Sequence, residues 1–300
     1  MRSHIWITIL TPTYNRAYTL PRLYKSLCRQ SCKDFMWLIV DDGSVDDTKD
    51  VVSSFKADFP LHYIYKENGG KHTALNTGMK YITTDYTFIV DSDDYLRDNA
   101  IESANRWIDD ISGISGFAGV AGVTGIAGLK CDEENKVIGQ FPKNYKYIDC
   151  LNSERKQHKL LGDKAEIYKT ELLKTHPFPV YDDERFMPES IIWNQFSLEG
   201  YKVRWYKECI KVCEYLSDGL TSATRCKNHF KENYKGYRDD CALNLKVLRF
   251  PYNYSSASVF YARCCDIKKT KRCLASFELS FLERVIIILV GRCRYYLERY

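Results

Sequence analysis

Three carboxylates fall within four residues at Asp91-Ser92-Asp93-Asp94, directly after the apolar run Tyr86–Val90. Like charges this close repel unless a cation joins them. A divalent ion with oxygen ligands, bridging two phosphates, answers that requirement. An acidic turn capping the next helix would use the same residue types, since Asp is a favourable N-cap. The strand before the cluster, and three further polar clusters, favour the cation. Asp41-Asp42-Gly43-Ser44 closes the apolar run Phe35–Val40 in the same way. A carboxylate there can accept a hydrogen bond from a base N–H or a ribose hydroxyl, although Asp-Gly also makes an ordinary turn. Pro12-Thr13-Tyr14-Asn15-Arg16 follows a third run, and the Tyr14 ring suits a nucleobase or plain packing. Asn68-Gly69-Gly70-Lys71-His72 sets two glycines before a helix start, with a cation in its first turn. Helix N-terminal amides beside Lys71 suit a diphosphate, but the GK[ST] ending of a Walker A loop is missing.

Something must hold these clusters together. Ile5–Leu10, Phe35–Val40, Leu61–Tyr65 and Tyr86–Val90 read as buried strands. Leu20–Arg29, Thr48–Phe55 and Lys71–Met79 read as the helices between them. Alternating strands and helices predict a doubly wound, mainly parallel α/β sheet. In such sheets ligands bind beyond the carboxyl ends of the strands, where each cluster falls. Farther on, a buried segment is expected at Phe117–Val123 and a loop entering a helix over Lys159–Leu173. A helix is expected at Pro188–Leu198, with late strands at Lys202–Tyr206 and Lys211–Tyr215. From about Arg225 the pattern turns helical, basic and aromatic. The predicted division is therefore a domain over 1–225 and a helical, basic extension over 226–300.

The net charge of +5 is localised. Tyr261–Tyr300 holds nine basic and four acidic residues, which accounts for the whole excess. A basic tail suits an anionic membrane surface at about 1 kcal/mol per cation. Nucleic acid is not expected as a partner, because no DNA- or RNA-binding signature accompanies the charge. Phe281, Leu282, Val285, Ile286, Leu289 and Val290 lie within Ser280–Tyr300, with arginines at both ends, as an interfacial helix would carry them. The longest apolar run, Val285–Val290, is far short of the ~20 residues that span a bilayer. The twelve cysteines form no CxxC pair, and no signal peptide is expected ahead of the first strand. Free thiols in a reducing, cytoplasmic compartment are expected, with the inner face of the membrane in reach of the tail.

In order and spacing over the first hundred residues, four motifs resemble the family 2 glycosyltransferases. They are PTYNR at Pro12–Arg16, LIVDDGSVDDT at Leu38–Thr48, the run Asn68–Gly78, and FIVDSDD at Phe88–Asp94. Gly162–Lys174 and Phe186–Gln195 look like the acceptor half of the same domain. The resemblance implies a GT-A fold, a nucleotide-sugar donor (commonly a UDP-sugar), a glycan or lipid-linked acceptor, and inversion at the anomeric carbon. Carried over by motif, Pro12, Tyr14 and Asp42 contact the base, and Lys71 and Asn76 lie near the phosphates. Asp91 and Asp94 touch ribose or sugar, and Asp93 binds Mg2+ or Mn2+.

Members of the family often place Glu-Asp before the helix that ends the domain, with Asp as base. Here the sequence is Pro188-Glu189-Ser190. Glu189 is therefore expected to act as base, with Asp182, Asp183 and Glu184 in reserve. A non-catalytic nucleotide-sugar-binding relative is the alternative, for which Ser190 leaves room. A nucleotidyltransferase ranks lower, because PTYNR stands where its basic glycine-rich loop belongs.

Overall fold

A computed structural model describes residues 6–112, 122–214, 227–263 and 267–297. Strands β1 (Ile7–Thr13), β2 (Phe35–Asp41), β3 (Leu61–Tyr65) and β4 (Tyr86–Ile89) alternate with helices α1 (Leu20–Cys28), α2 (Thr48–Ser53) and α3 (Lys71–Met79). The strands lie in the order β3-β2-β1-β4 and pair in parallel. Every residue of β1 is buried, because helices cover both faces of a parallel sheet. Such a strand needs a continuous apolar run rather than alternation. Helix α1 opens with a proline in its first turn and turns Leu20, Leu23 and Leu27 inward. Those leucines join Ile7, Ile9, Phe35, Trp37 and Phe88 in the main core.

Beyond β4 come β5 (Tyr95–Leu96), α4 (Ala100–Ser112), β6 (Val123–Cys131), β7 (Tyr147–Leu151), β8 (Lys164–Lys169), α5 (Thr170–Thr175), α6 (Ser190–Leu198) and β9 (Lys202–Val212). The sheet continues β4-β8-β6-β9-β5, with β7 also on β9. Strand β8 runs antiparallel to both neighbours, and β6 pairs in parallel with β9. The sheet is thus parallel through its first four strands and mixed beyond them.

Two expectations change here. The loop foreseen at the start of Lys159–Leu173 contains β8, whose alternation was hidden because Lys164, Glu166 and Tyr168 share one face and two of them are charged. The two late strands are one, β9, which runs unbroken to Val212; Tyr215 lies outside the described residues, as does most of Phe117–Val123.

The chain divides into two compact units, Met1–Phe178 with Gly200–Glu214, and Pro179–Glu199 with Tyr215–Tyr300. The second unit therefore takes in α6, which the predicted boundary at 225 had left with the sheet. Its further helices are α7 (Lys227–Glu232), α8 (Tyr234–Val247), α9 (Tyr252–Arg263), α10 (Ile267–Ser276) and α11 (Phe281–Leu297). Polar bonds tie α6 to α8. Ser190 Oγ donates to Asp240 at 2.6 Å, and Asn194 donates to Asn244 at 2.8 Å. Ala257, Phe260, Tyr261, Leu274 and Ile287 form the apolar centre of this unit.

Candidate active site

The carboxyl ends of β1, β2 and β4 bring the sequence-predicted residues of the first unit, Asn76 excepted, into one region. Parallel pairing dictates this, since Thr13 stands opposite Asp41 and Leu10 opposite Ile89. The loops beyond β1 and β2 are joined: the Asn15 N–H donates to Ser44 Oγ at 2.8 Å, and the Val45 N–H donates to Asn15 Oδ1 at 2.9 Å. On this ledge Tyr14 presents a half-exposed ring, whereas Pro12 is buried within β1.

Asp42 is buried and organises the neighbouring loop. Its Oδ1 accepts from Lys66 Nζ at 2.6 Å and from the Gly69 N–H at 3.0 Å. Its Oδ2 accepts from the Gly70 N–H at 2.7 Å and Asn68 Nδ2 at 3.2 Å. A carboxylate accepts about four hydrogen bonds, so donors of its own chain fill this one. Any part Asp42 takes in binding a base runs through the loop it holds. Gly43 sits at φ +86°, and a Cβ there would lie 2.6 Å from the Asn68 backbone nitrogen. Only glycine lets these two loops approach so closely.

Helix α3 begins at Lys71, whose Nζ lies 2.5 Å from Asp91 Oδ1. Asn76, expected near the phosphates, is engaged elsewhere: its amide accepts from the Phe178 N–H and donates to the Phe178 carbonyl, each at 2.8 Å.

The three acids after β4 have distinct environments. Burial opposes the charge on Asp91, yet Lys71 and Lys211 together hold it well below the usual carboxylate range. Asp94 is buried against Lys211 Nζ at 2.8 Å. Burial also opposes the Lys211 charge, and Asp94 raises its pKa well above the ordinary value nonetheless. Among the described residues no such ion pair neutralises Asp93. Burial, and behind it the charges of Asp91 and Asp94, pushes Asp93 up to about 6. Arg22 fixes the turn by donating to the Asp93 carbonyl at 2.6 Å.

This donor set suits a hard cation. No group of three His, Cys, Asp or Glu residues is poised to hold an ion among the described residues. Asp93 instead offers a single carboxylate that an added positive charge would relieve. Mg2+ is commonly held by one or two carboxylates, with substrate phosphates and water completing the shell. The residues present therefore fit an ion that takes most of its ligands from outside the chain.

Glu189 lies in the second unit, as the N-cap residue of α6. Of its reserves, Glu184 accepts from the Lys235 and Gly236 N–H groups at 2.6 and 2.9 Å and caps α8. Asp183 pairs with Lys235 at 2.5 Å, and Asp182 is exposed. Sequence reasoning missed Lys66, Arg22 and Lys211. For Lys211 a signal existed, because a lysine inside Cys209-Ile210-Lys211-Val212-Cys213 must be buried, and a buried lysine needs a paired acid.

A family model described as "Glycosyl transferase family 2" matches residues 8–157. An uncharacterised glycosyltransferase of Rickettsia conorii is 36% identical over 96 residues, 32% of this chain and 16% of that protein. The poly(ribitol-phosphate) beta-N-acetylglucosaminyltransferase TarP of Staphylococcus aureus is 32% identical over 100 residues, 32% of this chain and 31% of that one. These alignments span less than a third of the curated relatives' own length. Residues 1–349 of S. aureus TarS, solved with UDP-GlcNAc, superpose with a TM-score of 0.68 at 16% identity, covering 98% of this chain and 91% of that one. The mannosyltransferase PcManGT of Pyrobaculum calidifontis, solved with GDP-Man and Mn2+, gives 0.58 at 16% identity, covering 99% and 85%. The fold is that of the GT-A glycosyltransferases.

Proposed function

The chain belongs to glycosyl transferase family 2, and on that premise we propose that it moves a sugar from a nucleotide-sugar donor, a UDP-sugar, to a hydroxyl of a glycan acceptor with inversion. One observation carries the reading. Of three adjacent acids, Asp91 and Asp94 have lysine partners, and Asp93 is left with a proton affinity raised to about 6. The ligands named for the solved neighbours, UDP-GlcNAc in one and GDP-Man with Mn2+ in the other, support the same assignment.

In this mechanism the Tyr14 ring packs against the base, while Pro12 and the loop that Asp42 holds shape the pocket around it. The α3 N-terminus and Lys71 lie against the diphosphate, where aligned amides and an ammonium group favour negative charge. Asp91 and Asp94 face the ribose and the sugar. Mn2+ or Mg2+ held by Asp93 would offset charge on the departing diphosphate. The acceptor oxygen forms its bond to the anomeric carbon on the face opposite the leaving group, as the bond from that carbon to the diphosphate oxygen breaks. Glu189 takes the acceptor proton as general base.

The test is a thermal-shift series with UDP-sugars, with and without Mn2+. A ligand at a hundredfold its Kd stabilises by about 2.7 kcal/mol through mass action. Wild type should gain stability from donor and Mn2+ together, and Asp93→Asn should keep its melting temperature but lose the Mn2+ increment. A folded Asp93→Asn protein with normal turnover would sink the assignment. Ser190 keeps a second reading open, since its hydroxyl is bonded to Asp240 where many relatives carry the base. A non-catalytic relative would bind donor yet never consume it, which an assay of donor hydrolysis separates.

A further inference from the structure

Helix α11 turns large apolar side chains toward solvent. Phe281 is 81% exposed, Leu282 67%, Leu289 56%, Val290 41% and Ile286 38%. At 100° per residue, Leu282, Ile286 and Leu289 stand at i, i+4 and i+7, so they form one stripe along the helix. The opposite face packs inward through Ile287 and Gly291. A Cβ at Gly291 would meet Tyr261 Cδ1 at 2.7 Å and the Ser258 carbonyl oxygen at 3.0 Å. That close approach to α9 fixes the rotation of α11 and keeps the stripe outside. At the N-terminal end of α9, Phe250 is 75% exposed and packs edge-on against Tyr254, whose hydroxyl donates to Glu283 of α11 at 2.5 Å. The aromatic end and the stripe therefore belong to the same helix pair.

The exposed charges around this surface are mostly positive. From Lys246 to Arg294 the exposed charged residues, among those described, are Lys246, Arg249, Lys271, Arg272 and Arg292 against Glu278. No helix of the described residues is long and apolar enough to cross a membrane. We propose that α11 and the start of α9 form a docking surface for an anionic lipid bilayer, with the stripe entering the acyl boundary and the cations meeting headgroups. Apolar contact combined with basic residues is the combination that holds an in-plane helix at an interface. This surface stands independently of the transferase reading.

The experiment is flotation of the full chain with vesicles of phosphatidylcholine alone, or of phosphatidylcholine with about 30% phosphatidylglycerol, a fraction chosen to give an anionic surface. The wild-type chain is expected to float with anionic vesicles, and to do so less as salt rises. Leu289→Asp, at an exposed position, should lower partitioning at least about tenfold. Arg249→Gln and Arg292→Gln should each lower it about fivefold. Absence of wild-type flotation with anionic vesicles, or variants that float equally well, would overturn the proposal. So would a lipid-free dimer, seen by light scattering, that Leu289→Asp dissociates, because a second copy would then be the occupant.

Discussion

Lys211 Nζ stands 2.8 Å from Asp94 Oδ2, with side-chain exposures of 4% and 7%. Removing one partner of such a pair leaves an uncompensated buried charge, which costs about 3–5 kcal/mol. Lys211→Met should therefore lower the unfolding free energy by about 3 kcal/mol in urea titrations. Asp94→Asn added to that background should restore part of the loss, because the stranded charge is then gone. A Lys211→Met protein of wild-type stability would show that Asp94 does not depend on this lysine in the interior.

Gly43 invites a second substitution. In Gly43→Ala the new Cβ meets backbone, which cannot turn aside as a side chain would, and φ stays at +86°. A strained left-handed residue costs about 1–3 kcal/mol. The expected outcome is a lower melting temperature together with weaker UDP binding by calorimetry, since the Asn68 loop must shift. Unchanged affinity would show that this loop takes no part in holding the donor.

Glu189→Gln preserves shape and removes the basic oxygen. Turnover is expected to fall by at least about a hundredfold, the usual contribution of a general base, while donor binding stays near wild type. Activity that survives would move the role to another carboxylate. Asp182 is the reserve whose carboxylate carries neither the helix cap of Glu184 nor the ion pair of Asp183.

Asp240 makes a pH prediction. Burial raises its pKa from 3.8 to about 6, against the opposing hydrogen bonds from Ser190 and Asn244. A carboxyl that holds its proton more tightly when folded adds stability below the unfolded pKa, and that stability is lost as pH rises through the folded pKa. Between pH 4 and 6 the wild-type chain should thus lose on the order of 2 kcal/mol relative to Asp240→Asn, which keeps the side-chain shape but does not titrate. Paired urea titrations at the two pH values provide the measurement.

The sequence was informative where one local rule decided the outcome. Leu61–Tyr65 and Lys71–Met79 agree with the observed β3 and α3 to the residue, because apolar periodicity and a Gly-Gly start both pointed one way. Asp91, Asp93 and Asp94 were recognisable as a cluster because three like charges after a buried strand demand an explanation. Their differences were not recognisable. Which acid receives a lysine depends on α3 and on β9, and the second of these lies more than a hundred residues downstream. Asn76 shows the same limit, since no local pattern announces that its amide will clamp the backbone of Phe178. Strand β8 escaped because Lys164 and Glu166 occupy alternate positions where apolar side chains are expected, and only the sheet around them explains their burial.

The origin of Lys211 also sets how small a portable version of this protein can be. The family match stops at residue 157, yet the ammonium group that makes Asp94 tolerable in the interior comes from β9. An excised fragment of residues 8–157 would keep every acid of the cluster, and Lys71 beside Asp91, but lack the counter-charge of Asp94. Domain shuffling that respects only the recognisable half would therefore yield a piece that leaves Asp94 without its lysine, and the shortest transplantable unit must run through Val212.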